Sequence, residues 1–159
     1  MPDLIDDKGV WPRLIALRDC LCEEIEKSGL PSVCYCEVMP GSIPVFDYSD
    51  DGMAWVRLGQ AFPSTIFPQQ SLDLRSSCTT GLAYEVEVGI VRCPPGLDHH
   101  GRPPTAEDEF EATRIQLADM AAMRRAIQCC FKGKDAVLGA YTPIGPDEGA
   151  LGGTWTVSI

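Results

Sequence analysis

Apolar residues recur at helical spacing in two stretches of the chain and alternate with polar ones in several others. Over residues 9–28, Leu14, Leu17, Leu21 and Ile25 fall at steps of three and four, flanked by Ile15 and Cys22. That spacing predicts one buried helix face. Glu23, Glu24, Glu26 and Lys27 lie mostly on the far side, Ser28-Gly29 supplies a stop, and Pro31 follows. A second helix is predicted from Thr105 to about Phe131. Thr105-x-x-Asp108 has the form of a capping box, with Glu107, Asp108 and Glu109 in the first turn. Phe110, Leu117, Met120, Ile127 and Phe131 form its large apolar stripe. Ala118, Ala122, Ala126 and Cys129 form a small one, which lets another element approach closely, and Gly133 closes the helix.

Strands are predicted at about 32–39, 53–61, 82–93, 136–142 and 153–159. In "LAYEVEVGIVRC", Tyr84, Val86, Val88 and Ile90 share one face, and Glu85 and Glu87 share the other with Gly89 and Val91. A face carrying two glutamates is one that the chain's own helices do not bury, so water or another subunit covers it. Turn chemistry marks 47–52 ("DYSDDG"), the breaker-rich loop 94–104 and the hairpin at 149–153 ("GALGG"). Residues 63–80 hold two prolines and no sustained period, which predicts a long irregular loop or arm. The order α-β-β-β-α-β-β predicts an α+β fold: a mostly antiparallel sheet of about five strands with two helices on one face. A length of 159 residues is that of a single domain, 1–159.

Charge narrows the function classes. A formal net charge of -10, with 13 basic residues spread along the chain, argues against a surface that grips nucleic acid. No apolar run has the ~18–20 residues that cross a bilayer, which predicts no membrane association. The opening "MPDLIDDKGVWPRL" lacks the apolar core of a secretory leader. The expectation is a soluble protein folded in a reducing cytosol, with its cysteines as thiols.

Eight cysteines invite a chemical reading. The close pairs are Cys20-x-Cys22, Cys34-x-Cys36 and Cys129-Cys130, none with the C-x2–4-C spacing of a zinc knuckle. Cys20 and Cys22 stand about 200° apart around a helix. Cys34 and Cys36 share a strand face, so they are the one plausible ligand pair. Core packing as small apolar side chains is the expected role; disulfides in an extracellular particle and metal binding are the alternatives. His99 and His100, adjacent in a Pro/Gly loop, read as loop polarity. No nucleophile elbow, zinc-protease or phosphate-loop motif is present. Glu85 and Glu87 could serve acid–base chemistry or a divalent ion, or pair with Arg57 on the neighbouring strand. No catalytic residue, cofactor or metal is expected. The candidate subunit-interface or lumen residues are Glu85, Glu87, Arg57, Ile66 and Phe67.

The strings "GMAWVRLGQAFPS", "AYEVEVGIVRCPP", "QLADMAAMRRAIQCC" and "LGAYTPIGPDEGALGGTWTVSI" resemble a family of tail terminator or head-to-tail connector subunits in long-tailed phages of actinobacteria. The resemblance runs from the first strand to the C-terminus. It implies an α/β subunit of a homo-oligomeric ring, expected to be a hexamer, in the neck and tail of the virion. The partners it implies are the major tail tube protein and a head-to-tail stopper or neck protein, with DNA passing through the lumen without specific binding. An acidic chain suits that last role. The alternatives are another neck component, a stopper or adaptor, and, from a different class, a small Cys/Glu metal-binding protein or enzyme.

Overall fold

Helix α1 (Val10–Lys27) buries Leu14, Leu17, Leu21 and Ile25, the face its spacing predicts. Pro12 sits in the first turn, where a missing N–H leaves no intrahelical bond unmade. Gly29 follows the helix at φ +63°, a conformation that costs other residues energy. These observations come from a computed structural model that describes residues 9–41, 51–72, 81–133, 136–147 and 149–159, with the backbone alone at Asp147. The first eight residues, most of the turn at 47–52, and 73–80 of the expected arm, with Cys78, lie outside the described residues.

Five strands form one sheet: β1 (Tyr35–Val38), β2 (Met53–Pro63), β3 (Leu82–Arg92), β4 (Val137–Asp147) and β5 (Ala150–Ser158), in spatial order β1-β2-β3-β5-β4. Helix α2 (Ala106–Cys130) lies between β3 and β4 in the chain. β2–β3, β3–β5 and β4–β5 are antiparallel, whereas β1 runs parallel to β2. The sheet is therefore mostly antiparallel, in line with expectation, and mixed at one edge, where β1 adds a parallel pairing. A parallel pair needs a crossover of about a dozen residues or more, and the chain between Val38 and Met53 has that length. β1 is also shorter than expected, and β5 begins at Ala150, inside the stretch read as a hairpin.

Both helices cover the same sheet face. Leu17, Leu21, Met123 and Ile127 pack there on Val56, Val86, Val88, Ile90 and Val157. Burial of each such side chain contributes about 1.5–3 kcal/mol.

Helix α2 begins with the predicted capping box: Thr105 Oγ1 accepts from the Asp108 N–H, and Asp108 Oδ2 accepts from the Thr105 N–H at 2.8 Å. The Thr105 hydroxyl, 2.6 Å from Asp108 Oδ2, and then the Thr105 N–H hold the Asp108 carboxyl below the ordinary carboxylate range. Its buried face agrees with the prediction only in part. Asp119, Ala122, Met123, Ala126, Ile127 and, at the end, Phe131 are buried, while Phe110 and Leu117 stand 70% and 53% exposed. At about 100° per residue, Phe110 and Leu117 lie well round the helix from Asp119, Met123 and Ala126, so that edge of the large stripe meets water. Half-buried Ala112, Ile115 and Gln116 continue the packed face toward the N-terminus.

A second cluster sits on the opposite sheet face, made of Met53, Trp55, Val91 and Ala150 with Met39 and Ile144 beside it. It covers one end of the face that the sequence left to water or a neighbour.

Candidate assembly surfaces

β5 accompanies β3 as far as Glu85 and Tyr84, and beyond that point β2 and β3 run on alone as a short two-stranded ribbon, with Phe62 opposite Ala83 and Pro63 opposite Leu82. Its tip is a tight turn. The Gln69 N–H donates to the Ile66 carbonyl at 2.8 Å, Ser71 N–H to the Pro63 carbonyl, and Ser64 Oγ to the Gln69 carbonyl. A cis peptide joins Phe67 to Pro68. These bonds tie the backbone of the tip, which shows solvent both polar side chains (Thr65, Gln69 and Gln70) and apolar ones. Ile66 is 69% exposed and Leu72 87%, while Phe67 is half-buried. Leu82, opposite Pro63, is exposed as well, and so is Leu58 further back on β2. A run of exposed apolar side chains at the end of a projecting element is characteristic of a contact surface. The segment expected to be structureless is therefore an ordered arm over its described part, 63–72.

Arg57 and Glu87 face each other directly across β2 and β3 on the face away from the helices. The Arg57 guanidinium donates two bonds to the Glu87 carboxylate, at 2.8 and 2.6 Å, and Trp55 Nε1–H donates a third to Glu87 Oε1 at 3.1 Å. Arg57 also reaches the Gly41 carbonyl. A bidentate pair of this kind fixes side-chain geometry. Glu87 is committed to that pair, so the two glutamates are not a free carboxylate couple. Glu85 lies one pair further out, half-buried, and forms no hydrogen bond or ion pair among the described residues. The five candidate residues lie in two places: Arg57, Glu87 and Glu85 on β2 and β3 within the sheet, Ile66 and Phe67 at the tip beyond it, about 20 Å of strand away.

The cysteines divide differently from expectation. Cys22 on α1 and Cys36 on β1 form a disulfide, with Cα atoms 6.1 Å apart. This overturns the reading of both as thiols filling the core and removes Cys34-x-Cys36 as a ligand pair. Cys20, Cys34, Cys93, Cys129 and Cys130 are thiols. Among the described residues no group of three or more His, Cys, Asp or Glu side chains is placed to hold a metal ion. The bond ties the edge strand to the helix across a separation of 14 residues. For a loop of that length, constraint of the unfolded chain contributes about 3 kcal/mol. Cys36→Ser, or reduction of the wild type, is expected to lower unfolding stability by about 2–3 kcal/mol in urea titrations. A variant that matches the oxidised wild type within error would show that the bond contributes nothing.

Two features carry no signal in the sequence. Asp119, 1% exposed on α2, receives two bonds from the Arg92 guanidinium at 2.8 and 2.9 Å, and Arg92 reaches the Ser32 carbonyl. Gln116 Nε2 and Tyr141 Oη both donate to the Gly152 carbonyl, and burial pushes the Tyr141 phenol up. Together these bonds anchor α2 to β3 and β5, and β4 to β5. The His99 and His100 rings lie 3.9 Å apart, tilted at 46° to each other, in a loop ordered by the Asp98 carboxylate, which accepts from the His100 and Arg102 N–H groups. Their place in an exposed loop agrees with a structural reading. No helix of the described structure is long and apolar enough to cross a membrane. No protein-family model matches the chain, and no curated protein matches it either.

Proposed function

We propose that this protein is a structural subunit of a phage neck: a tail terminator whose copies form a ring, read as a hexamer, that caps the tail tube and joins it to the head. The observation that carries the reading is the arm, where Ile66, Leu72 and, at its root, Leu82 leave apolar surface uncovered on a strongly acidic chain. Such a surface supports contact with a neighbouring subunit or the tube. The sequence resemblance supplies the phage setting, and the charge of -10 suits a lumen past which DNA slides without binding. No cofactor has a role in this reading.

The double variant Ile66→Asp/Leu72→Asp tests the arm. Both side chains are exposed, so stability is expected to change by no more than about 0.5 kcal/mol. Ring or tube assembly, followed by light scattering and electron microscopy, is expected to be lost. Assembly at wild-type level would remove the arm from the interface. In the phage, loss of the subunit is expected to give heads together with tails of uncontrolled length. Tails of normal length that fail to join heads, or heads that leak DNA, would assign the protein to the stopper or adaptor role instead.

A further inference from the structure

We infer that the two open edges of the sheet are the two halves of one junction, through which β4 of one copy adds to β2 of the next. This rests on the ring reading above and specifies its contact. β4 has β5 on one side and, among the described residues, no strand on the other. At the opposite edge β1 covers only Met53–Val56, and Met39 bonds once more at Val56. The outer side of Leu58–Phe62 is left without a described backbone partner.

Long open edges are normally guarded by charge, proline or bulges. β1 follows that rule with Glu37, which pairs with Arg18. The second half of β4 does too, through Pro143 and Pro146. Its first half, Val137–Thr142 ("VLGAYT"), and the matching run Leu58–Phe62 ("LGQAF") contain neither charge nor proline. In a chain with 23 acidic and 13 basic residues, such edges let copies meet without opposing carboxylates. Each run does hold one irregularity, next to Gly139 in β4 and Gly59 in β2. Bulges raise local twist, and a closed ring needs curvature from copy to copy.

Strand direction agrees. β2 is antiparallel to β3, β3 to β5 and β5 to β4, so β4 runs opposite to β2. A copy rotated about an axis near the strand direction therefore presents β2 antiparallel to its neighbour's β4, the more stable form of pairing. The contact is head-to-tail, which is the type that closes into rings. The occupant is a second copy of this chain.

The experiment uses the full chain and two guarded variants, Ala140→Lys/Thr142→Lys on β4 and Leu58→Lys/Gln60→Lys on β2. Circular dichroism and thermal melting check that each folds. Each variant alone is expected to stay monomeric while the wild type assembles in a dilution series. A mixture of the two is expected to stop at dimers, because one good edge remains on each copy. In the wild-type oligomer, hydrogen exchange at Val137–Thr142 and Leu58–Phe62 is expected to slow at least about tenfold relative to the monomer. Assembly of either variant alone, or a wild-type oligomer whose two edges exchange as in the monomer, would overturn the junction and leave the ring reading standing. Protection of β4 alone, appearing only with an added extended peptide, would assign the edge to another protein and also overturn it. A wild type that never self-associates would overturn both readings.

Discussion

Asp119→Ala is expected to lower folding stability by about 3–5 kcal/mol, because it leaves the Arg92 guanidinium buried without a counter-charge. Both partners are well shielded, with side chains 12% and 2% exposed, and the pair is bidentate. In water an ion pair contributes little; here neither partner can return to solvent without dismantling the contact between α2 and β3. At this chain length the thermal midpoint is expected to fall by about 6–20 °C. The companion variant Arg92→Met/Asp119→Leu removes both charges together, and well-packed apolar replacements of a buried pair are often neutral or stabilising. It is expected to recover most of the loss. Urea denaturation of the three proteins measures this. A single variant within about 1 kcal/mol of wild type would mean that water reaches Arg92 and the pair is not an anchor.

That pair also marks where the sequence stops being legible. Helix α1 could be read to the residue, because its stripe of Leu14, Leu17, Leu21 and Ile25 lies wholly over the sheet. β3 was equally clear, with Val86, Val88 and Ile90 inward and Glu85 and Glu87 outward. In α2 the same reasoning was right for Ile127 and Phe131 and wrong for Phe110 and Leu117. The large side chains spread over a wide arc of the helix, and their period does not say which edge of that arc meets the sheet. An aspartate inside the buried face reads as polar until its partner, 27 residues away, is known.

The edge elements failed for related reasons. β1 pairs with β2 in parallel, and four residues of strand cannot reveal direction through their alternation. Cys22 lies beside the stripe of α1 and Cys36 on β1, and no sequence spacing signals that these two meet across the helix and the strand. For the candidate surfaces, the cross-strand partnership of Arg57 with Glu87 was legible from two glutamates alternating with apolar residues. The arm was legible only as a break in pattern. Its order comes from side-chain to backbone bonds such as Ser64 to Gln69, which have no period.

Gly89→Ala is expected to be the other severe change, although it adds a single methyl group. A Cβ at this position would lie 2.1 Å from the Trp55 ring, which stacks over the bare backbone of β3. Trp55 is fully buried and its Nε1–H is bonded to Glu87, so the ring has no free direction in which to move. Overpacking of this kind costs about 1–3 kcal/mol, and breaking the indole bond adds about 1 kcal/mol. A loss of roughly 3 kcal/mol is expected in urea titrations. Trp55→Leu is expected to be costly alone, through its cavity, but to absorb much of the Gly89→Ala penalty when the two are combined. Additive costs in that double-mutant cycle would show that the two residues are not in contact. The consequence reaches the candidate surface, because Glu87 holds both Trp55 and Arg57. Displacing the ring frees the carboxylate to follow it, and the guanidinium of Arg57 then turns toward solvent at the base of the arm. Gly89→Ala is therefore expected to weaken assembly at temperatures where the monomer is still folded, whereas Asp119→Ala, on the opposite face, acts on assembly only through unfolding.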